Sequence, residues 1–354
     1  MDEARRITNF DYLRLIAAGM VIFTHGLLLA HGDESLDPLA RVYAPGVTLG
    51  VLGVMMFFAI SGYLVARSAD TARAPLHFAI KRILRIYPGL FVCLVTTALL
   101  IGAPLSLLGV HAFVQHLYPL RYAVLGLLDP AHATTLPTVH LYDDPAGGRG
   151  WLMNGVMWTL RYELICYVMI GVLLIARALR GEVITAIFAA LVLAGTLRIH
   201  DGRLADFFLV VPIFFGGAVI YFASKRIGPV PLWAAALCLP LGYFLYWSPY
   251  GALNYYVLVP VMTLALATAP GLQLPSLSRF GDISYGLYLY HWPVQQAIRA
   301  CAGAPLSAQT MLGISVPIVI AIAWMSWTIV EKPALALRAR LRWRQPHPPL
   351  GASS

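Results

Sequence analysis

Charge is scarce in this chain. Only 12% of its 354 residues are Asp, Glu, Lys or Arg, about half the share of an average soluble domain, which excludes a water-facing surface along most of its length. Lysine and arginine still outnumber the acids, giving a net charge of +9. The basic residues are scattered between apolar stretches, so a nucleic-acid partner is excluded. Cysteine is also sparse: Cys93, Cys166, Cys238 and Cys301 form no CxxC pair and each lies in or beside an apolar stretch, so they read as small core residues. HExxH, GxSxG, P-loop and GxGxxG patterns are missing, and the histidines are dispersed. No metal is therefore expected.

What fills the chain is apolar: 59% of residues are hydrophobic, and a membrane span needs roughly 20 of them in sequence. Apolar windows predict spans near 11–30, 46–66, 86–103, 153–176, 182–199, 206–223, 230–247, 252–269, 283–301 and 311–330. The expected fold is all-α, a polytopic membrane bundle of about ten transmembrane helices. Arg14 and His25 interrupt the first apolar run, so it is expected to stay as a span rather than be cleaved as a leader. With the N-terminus inside, seventeen Lys and Arg fall in cytoplasmic segments and six outside; the bias recurs from loop to loop and places both termini in the cytoplasm. Residues 1–333 are expected to form one transmembrane domain, and 334–354 a basic, disordered tail touching anionic lipid. The proline-rich stretch 104–152 is expected to be loop or short re-entrant helix, a candidate lid.

Ionisable residues inside spans are costly and default to function. Arg14 and His25 are separated by nearly three full helical turns, so they share one face about 16 Å apart. Arg82 and Arg85, in KRILRIYP, stand at i and i+3 and can grip phosphate. Glu163, about ten residues into its span, requires a partner, for which Arg161 is one candidate, or a proton. His291 precedes Pro293, which frees a backbone carbonyl, and Tyr285, Tyr288 and Tyr290 supply hydroxyls nearby. Glu331 at the last span's cytoplasmic end is expected to pair with the arginines at 82–85.

In order along nearly the whole chain, NFDYLRLIAAGMVIFTH (9–25), GVMMFFAISGYLVARS (53–68), FAIKRILRIYP (78–88), NGVMWTLRYELICY (154–167), ISYGLYLYHWP (283–293) and VEKP (330–333) together resemble the acyltransferase-3 family of membrane proteins, which acylate sugars of exported or surface polysaccharides. The family's arginine and histidine of the first span match Arg14 and His25, and its RxxR motif matches Arg82 and Arg85. Two features depart from the pattern: Arg161 sits where a small or neutral residue is expected, and no hydrolase-like domain follows the spans.

The resemblance implies an inner-membrane O-acyltransferase with cytoplasmic acetyl-CoA or another acyl-CoA as co-substrate. It also implies a sugar or polysaccharide acceptor at the outer face. On this reading Arg14, Arg82 and Arg85 bind the donor and His25 is the base, since an imidazole titrates near pH 6.5. Glu163 would orient the base or the acceptor, and Trp158, Tyr162, Tyr288 and His291 are acceptor-side candidates. The rivals are a secondary transporter or exporter using His25 and Glu163 as a proton or substrate path, and an assembly subunit without chemistry. The sequence leaves open the sugar, the acyl length, whether His25 carries the acyl group, and the oligomeric state.

Overall fold

In lipid a backbone must satisfy its own hydrogen bonds, and each apolar stretch does so as a helix. The computed structural model describes residues 9–43, 46–72, 74–139, 141, 152–197, 204–248, 251–269, 272, 274–277, 281–304 and 306–340. Helix α1 spans Asn9–His31, α2 Pro38–Val42, α3 Leu49–Asp70, α4 Pro75–Gly102, α5 Gly109–Gln115, α6 Tyr118–Leu128 and α7 Met157–Ile175. They are followed by α8 at Gly181–Thr196, α9 Ala205–Ile227, α10 Leu232–Tyr246, α11 Gly251–Thr268, α12 Ser284–Ala302 and α13 Ala308–Leu337. Among the described residues strand structure is limited to two isolated antiparallel bridges, Ser106 with Val139 and Thr135 with Leu152.

Among the described residues seven helices are long and apolar enough to cross a membrane: α1, α3, α4, α7, α9, α11 and α13. Helices α8 and α10 are apolar but shorter. Helix α12 covers the ninth expected span but carries Tyr288, His291, Gln295 and Gln296, all buried. Its polar atoms are turned to protein, as in-membrane polar groups must be. Helices α3 and α9 approach backbone to backbone, because a Cβ at Gly62 would overlap the carbonyl of Phe214 and one at Gly217 the carbonyl of Ala59. Small residues thus set the spacing of the bundle core.

Asn9 fixes the start of α1: its side-chain amide donates to the carbonyls of Leu266 and Leu272, and its Oδ1 accepts from the Leu274 amide at 3.2 Å. At the other end of α1, fully buried Asp37 receives the Thr24 hydroxyl at 2.5 Å and the backbone amides of Leu39 and Leu49. The described part of 104–152 is largely helical, forming α5, α6 and a 3-10 turn at Pro130–Thr134. Its remainder at 140 and 142–151 lies outside the described residues. Pro333 does not end the last span, since a wide π-turn at Trp327–Glu331 precedes it and helix follows at Lys332–Arg340. A π-turn relaxes the i→i−4 ladder that proline would break. Residues 341–354 of the expected tail lie outside the described residues.

Candidate active site

Between the beginning of α1 and the end of α3 lies a cavity of about 550 Å³, lined by Arg14, Arg82, Arg85, Glu163 and Tyr288 among others. The i, i+3 spacing does bring Arg82 and Arg85 to one face. The residue that organises the cluster is Asp282, just before α12. Its Oδ2 accepts from Arg14 Nη1 at 2.9 Å and from Arg85 Nη2 at 2.7 Å, and its Oδ1 from the Ser284 hydroxyl at 2.6 Å. Burial alone would raise the pKa of this carboxyl, but Arg14 and Arg85 prevail and hold it well below the usual carboxylate range. Gly281 delivers it: with φ at 80°, the chain passes so close to the Trp327 indole that a Cβ would overlap the ring.

Arg82 is held differently, with its guanidinium carbon 5.5 Å from the centre of the Tyr167 ring and its Nε buried without a hydrogen-bond partner. One carboxylate among three guanidinium groups leaves the cluster cationic, as an anionic ligand requires. Glu163 shares the cavity, where its Oε1 accepts from the Ser61 hydroxyl at 3.0 Å and the Tyr167 hydroxyl at 2.5 Å. Arg161 is not its partner, because residues two apart on a helix do not face each other. Arg161 instead forms a two-pronged ion pair with Asp129 at the end of α6, Nε to Oδ1 at 2.7 Å and Nη2 to Oδ2 at 2.6 Å. Glu331 is buried and accepts from the Ser326 hydroxyl at 2.9 Å, while the carboxylate that Arg85 bonds is Asp282.

Farther along α1, a smaller cavity of about 70 Å³ is lined by His25, Trp158 and Tyr288, with Thr24, Thr48 and Val54. His25 Nδ1 lies 2.8 Å from His291 Nε2, the two rings nearly parallel. His291 is fully buried, and its Nδ1 lies 3.1 Å from the Leu287 carbonyl and 2.9 Å from that of Tyr288. Carbonyls only accept, so Nδ1 of His291 carries a hydrogen and Nε2 of the neutral ring accepts. His25 then donates from Nδ1, and in its neutral form Nε2 is the nitrogen that can take a proton. The Trp292 ring stands edge-on to His25, centroids 4.7 Å apart, and its Nε1 donates to the Leu152 carbonyl at 3.0 Å. Pro293 frees the Leu289 carbonyl, which accepts from Asn154 Nδ2 at 3.0 Å.

Arg14 and His25 thus lie on one helix but in two cavities, and Val54 and Tyr288 line both. Glu163 and His25 also fall in different cavities. Tyr162, one turn beyond Trp158, packs against Trp158 and Phe207 and lines neither. Sequence reasoning missed Asp282, Ser61, Tyr167 and Thr159. Of these only Asp282 leaves a trace in the sequence, as a lone acid two residues before a span. Among the described residues no group of three or more His, Cys, Asp or Glu could hold a metal.

Apolar spans around a cationic cavity and a histidine pair, one ring buried and the other partly so, define a multi-pass membrane protein with a polar interior. The acyltransferase domain model matches residues 7–330, and the chain belongs to that family: it is an acyltransferase. It is 30% identical over 339 residues to the O-acetyl transferase of Shigella phage Sf6, covering 91% of this chain and 94% of the relative. It is 30% identical over 362 residues to Nodulation protein 10 of Rhizobium leguminosarum bv. viciae, covering 94% of each. The Exopolysaccharide production protein ExoZ of Rhizobium meliloti is 28% identical over 310 residues, 83% of this chain and 89% of the relative. No solved structure matches the chain.

Proposed function

We propose that this chain is an inner-membrane O-acetyltransferase that moves an acetyl group from cytoplasmic acetyl-CoA to a hydroxyl of a surface or exported polysaccharide, or of its lipid-linked precursor. Ten helices cross the membrane in this reading, with α8, α10 and α12 completing the seven long apolar ones and both termini in the cytoplasm. The observation that carries the reading is the adjacency of a cationic cavity and a histidine-bearing cavity, sharing Val54 and Tyr288 as walls. The O-acetyl transferase and exopolysaccharide names among the relatives support the substrate class.

The donor's phosphates are held by Arg14, Arg82 and Arg85, so that the thioester reaches the shared wall. Nε2 of His25 removes the proton from the acceptor hydroxyl as its oxygen attacks the thioester carbon. The tetrahedral intermediate collapses, the C–S bond breaks, and the histidine's new proton passes to the departing thiolate. Trp158 lines the His25 cavity and offers an aromatic face to the sugar. Donor and acceptor are each held by one cavity, so the reaction becomes effectively unimolecular.

Two measurements test this. Acetyl-CoA should raise the thermal unfolding midpoint of the purified protein, and Arg82→Ala/Arg85→Ala should abolish the rise. His25→Gln, inserted in the membrane in normal amount, should lower glycan O-acetyl content at least 100-fold, in line with the roughly 10²–10⁴-fold worth of a general base. Wild-type O-acetylation by His25→Gln would remove the base assignment. Acetyl-CoA without effect on the unsubstituted protein would remove the donor.

A further inference from the structure

The transfer reaction develops negative charge on the thioester oxygen, and none of the residues given roles above stabilises it. The arginines are committed to Asp282 and to phosphate, and His25 acts on the acceptor. The oxygen must lie where the two cavities meet. Of the two residues that line both, Val54 has no polar side-chain atom and Tyr288 has a hydroxyl.

That hydroxyl is held ready to turn. Tyr288 is buried, and its OH lies 2.6 Å from Thr159 Oγ1 and 3.4 Å from the Val156 carbonyl. Thr159 Oγ1 is itself 3.0 Å from the same carbonyl. Thr159 therefore donates to Val156 and accepts from Tyr288, so the carbonyl stays satisfied when the tyrosine proton is redirected. The ring is held by the Phe57 edge at a centroid distance of 5.6 Å. The Tyr288 carbonyl receives His291 Nδ1, so Tyr288 and the ring that bonds His25 share one turn of α12.

The geometry points to Tyr288 as the oxyanion donor of the transfer, a catalytic residue whose hydroxyl hydrogen-bonds the thioester oxygen as the acceptor attacks. This rests on the acetyl-transfer reading. When the acceptor oxygen adds, the C=O electron pair moves to oxygen and the Tyr288 O–H leaves Thr159 to receive it. When C–S breaks, the pair returns and the hydroxyl goes back to Thr159. The tyrosine keeps its proton throughout. In a water-excluded site such a donor acts strongly on the transition state and weakly on ground-state binding.

The test uses the full chain, supplied on a plasmid to cells lacking the chromosomal copy. Labelled acetyl transfer from acetyl-CoA into glycan is followed in their membrane vesicles, at equal protein amounts. Tyr288→Phe should reduce the rate about 10²–10³-fold while acetyl-CoA still stabilises the protein at the same half-saturating concentration. Thr159→Val, which removes the resting partner but not the donor, should stay within about tenfold. The assignment is overturned if Tyr288→Phe transfers within threefold of the unsubstituted rate, if Thr159→Val matches its loss, or if acetyl-CoA affinity falls in proportion to the rate. Should Tyr288→Phe fail to fold, 3-fluorotyrosine at 288 preserves the shape while strengthening the donor. A single-turnover rate then rising with fluorination supports the role, and an unchanged one overturns it. No transfer by the unsubstituted protein overturns the acetyl-transfer reading and this one together, whereas transfer by it and by Tyr288→Phe at rates within threefold of each other overturns this one alone.

Discussion

His25 and His291 are 266 residues apart in sequence and 2.8 Å apart in space, and the buried ring decides which nitrogen of the other carries the hydrogen. His291 lines neither of the two cavities, so in the proposed reaction its part would be to position His25 and fix its tautomer.

His291→Leu should therefore lower kcat on the order of 10²-fold or more, as losing a tautomer-fixing partner does elsewhere, with little change in the KM for acetyl-CoA. His291→Gln, whose amide can both donate to the backbone carbonyls and accept from His25, should recover a large part of that loss. Equal losses in the two variants, or a loss seen in KM instead, would count against positioning.

Asp282 offers a pH test. Its folded-state pKa is depressed, against burial, by Arg14 and Arg85. A depressed carboxyl contributes stability that is fully present above the unfolded value of about 3.9 and is lost as pH falls through the folded value. Asp282→Asn should then lower stability by about 3 kcal/mol, with a near-constant gap between about pH 5 and about pH 8. The gap should close only in strong acid. Thermal midpoints of both proteins in detergent across that range check it, and a gap that changes near neutrality would contradict it.

Helix α6 is tied to α7 through Asp129 and Arg161, both partly exposed. Burial opposes ionisation of Asp129, yet the hydrogen bond from Arg161 prevails and lowers its pKa. A double-mutant cycle with Asp129→Asn and Arg161→Gln should give a coupling of about 0.2–1 kcal/mol, the range for solvent-reached pairs. It should be present at neutral pH and vanish as Asp129 protonates below its ordinary range. Coupling that persists there would show that the contact is not ionic.

The helical pattern, the common face of Arg14 and His25, and the pairing of Arg82 with Arg85 were all legible in the sequence, because they follow from periodicity within one segment. The carbonyl freed by Pro293 was legible for the same reason. What escaped depends on contacts across the chain. Arg14 and Asp282 are 268 residues apart, and no local spacing relates them. Glu163 was expected to need a partner, Arg161 being one candidate, or a proton, and two hydroxyls bond it, since a carboxylate's need for donors is visible in sequence but their source is not. Arg161, an anomaly by pattern, became ordinary once Asp129 stood opposite it. The helix at Lys332–Arg340 was hidden by Pro333, whose usual effect is offset by the wider turn before it.

The shared wall of the two cavities has a consequence for the cell as well as for the reaction. A catalyst that handles a cytoplasmic cosubstrate and an exported acceptor in one pore would short-circuit the ion gradients across its membrane. Val54 and Tyr288 are the residues that line both cavities, and under the proposed topology they would stand between the two sides. Opening that wall, as in Val54→Gly, should show first as proton conductance through liposomes carrying the protein.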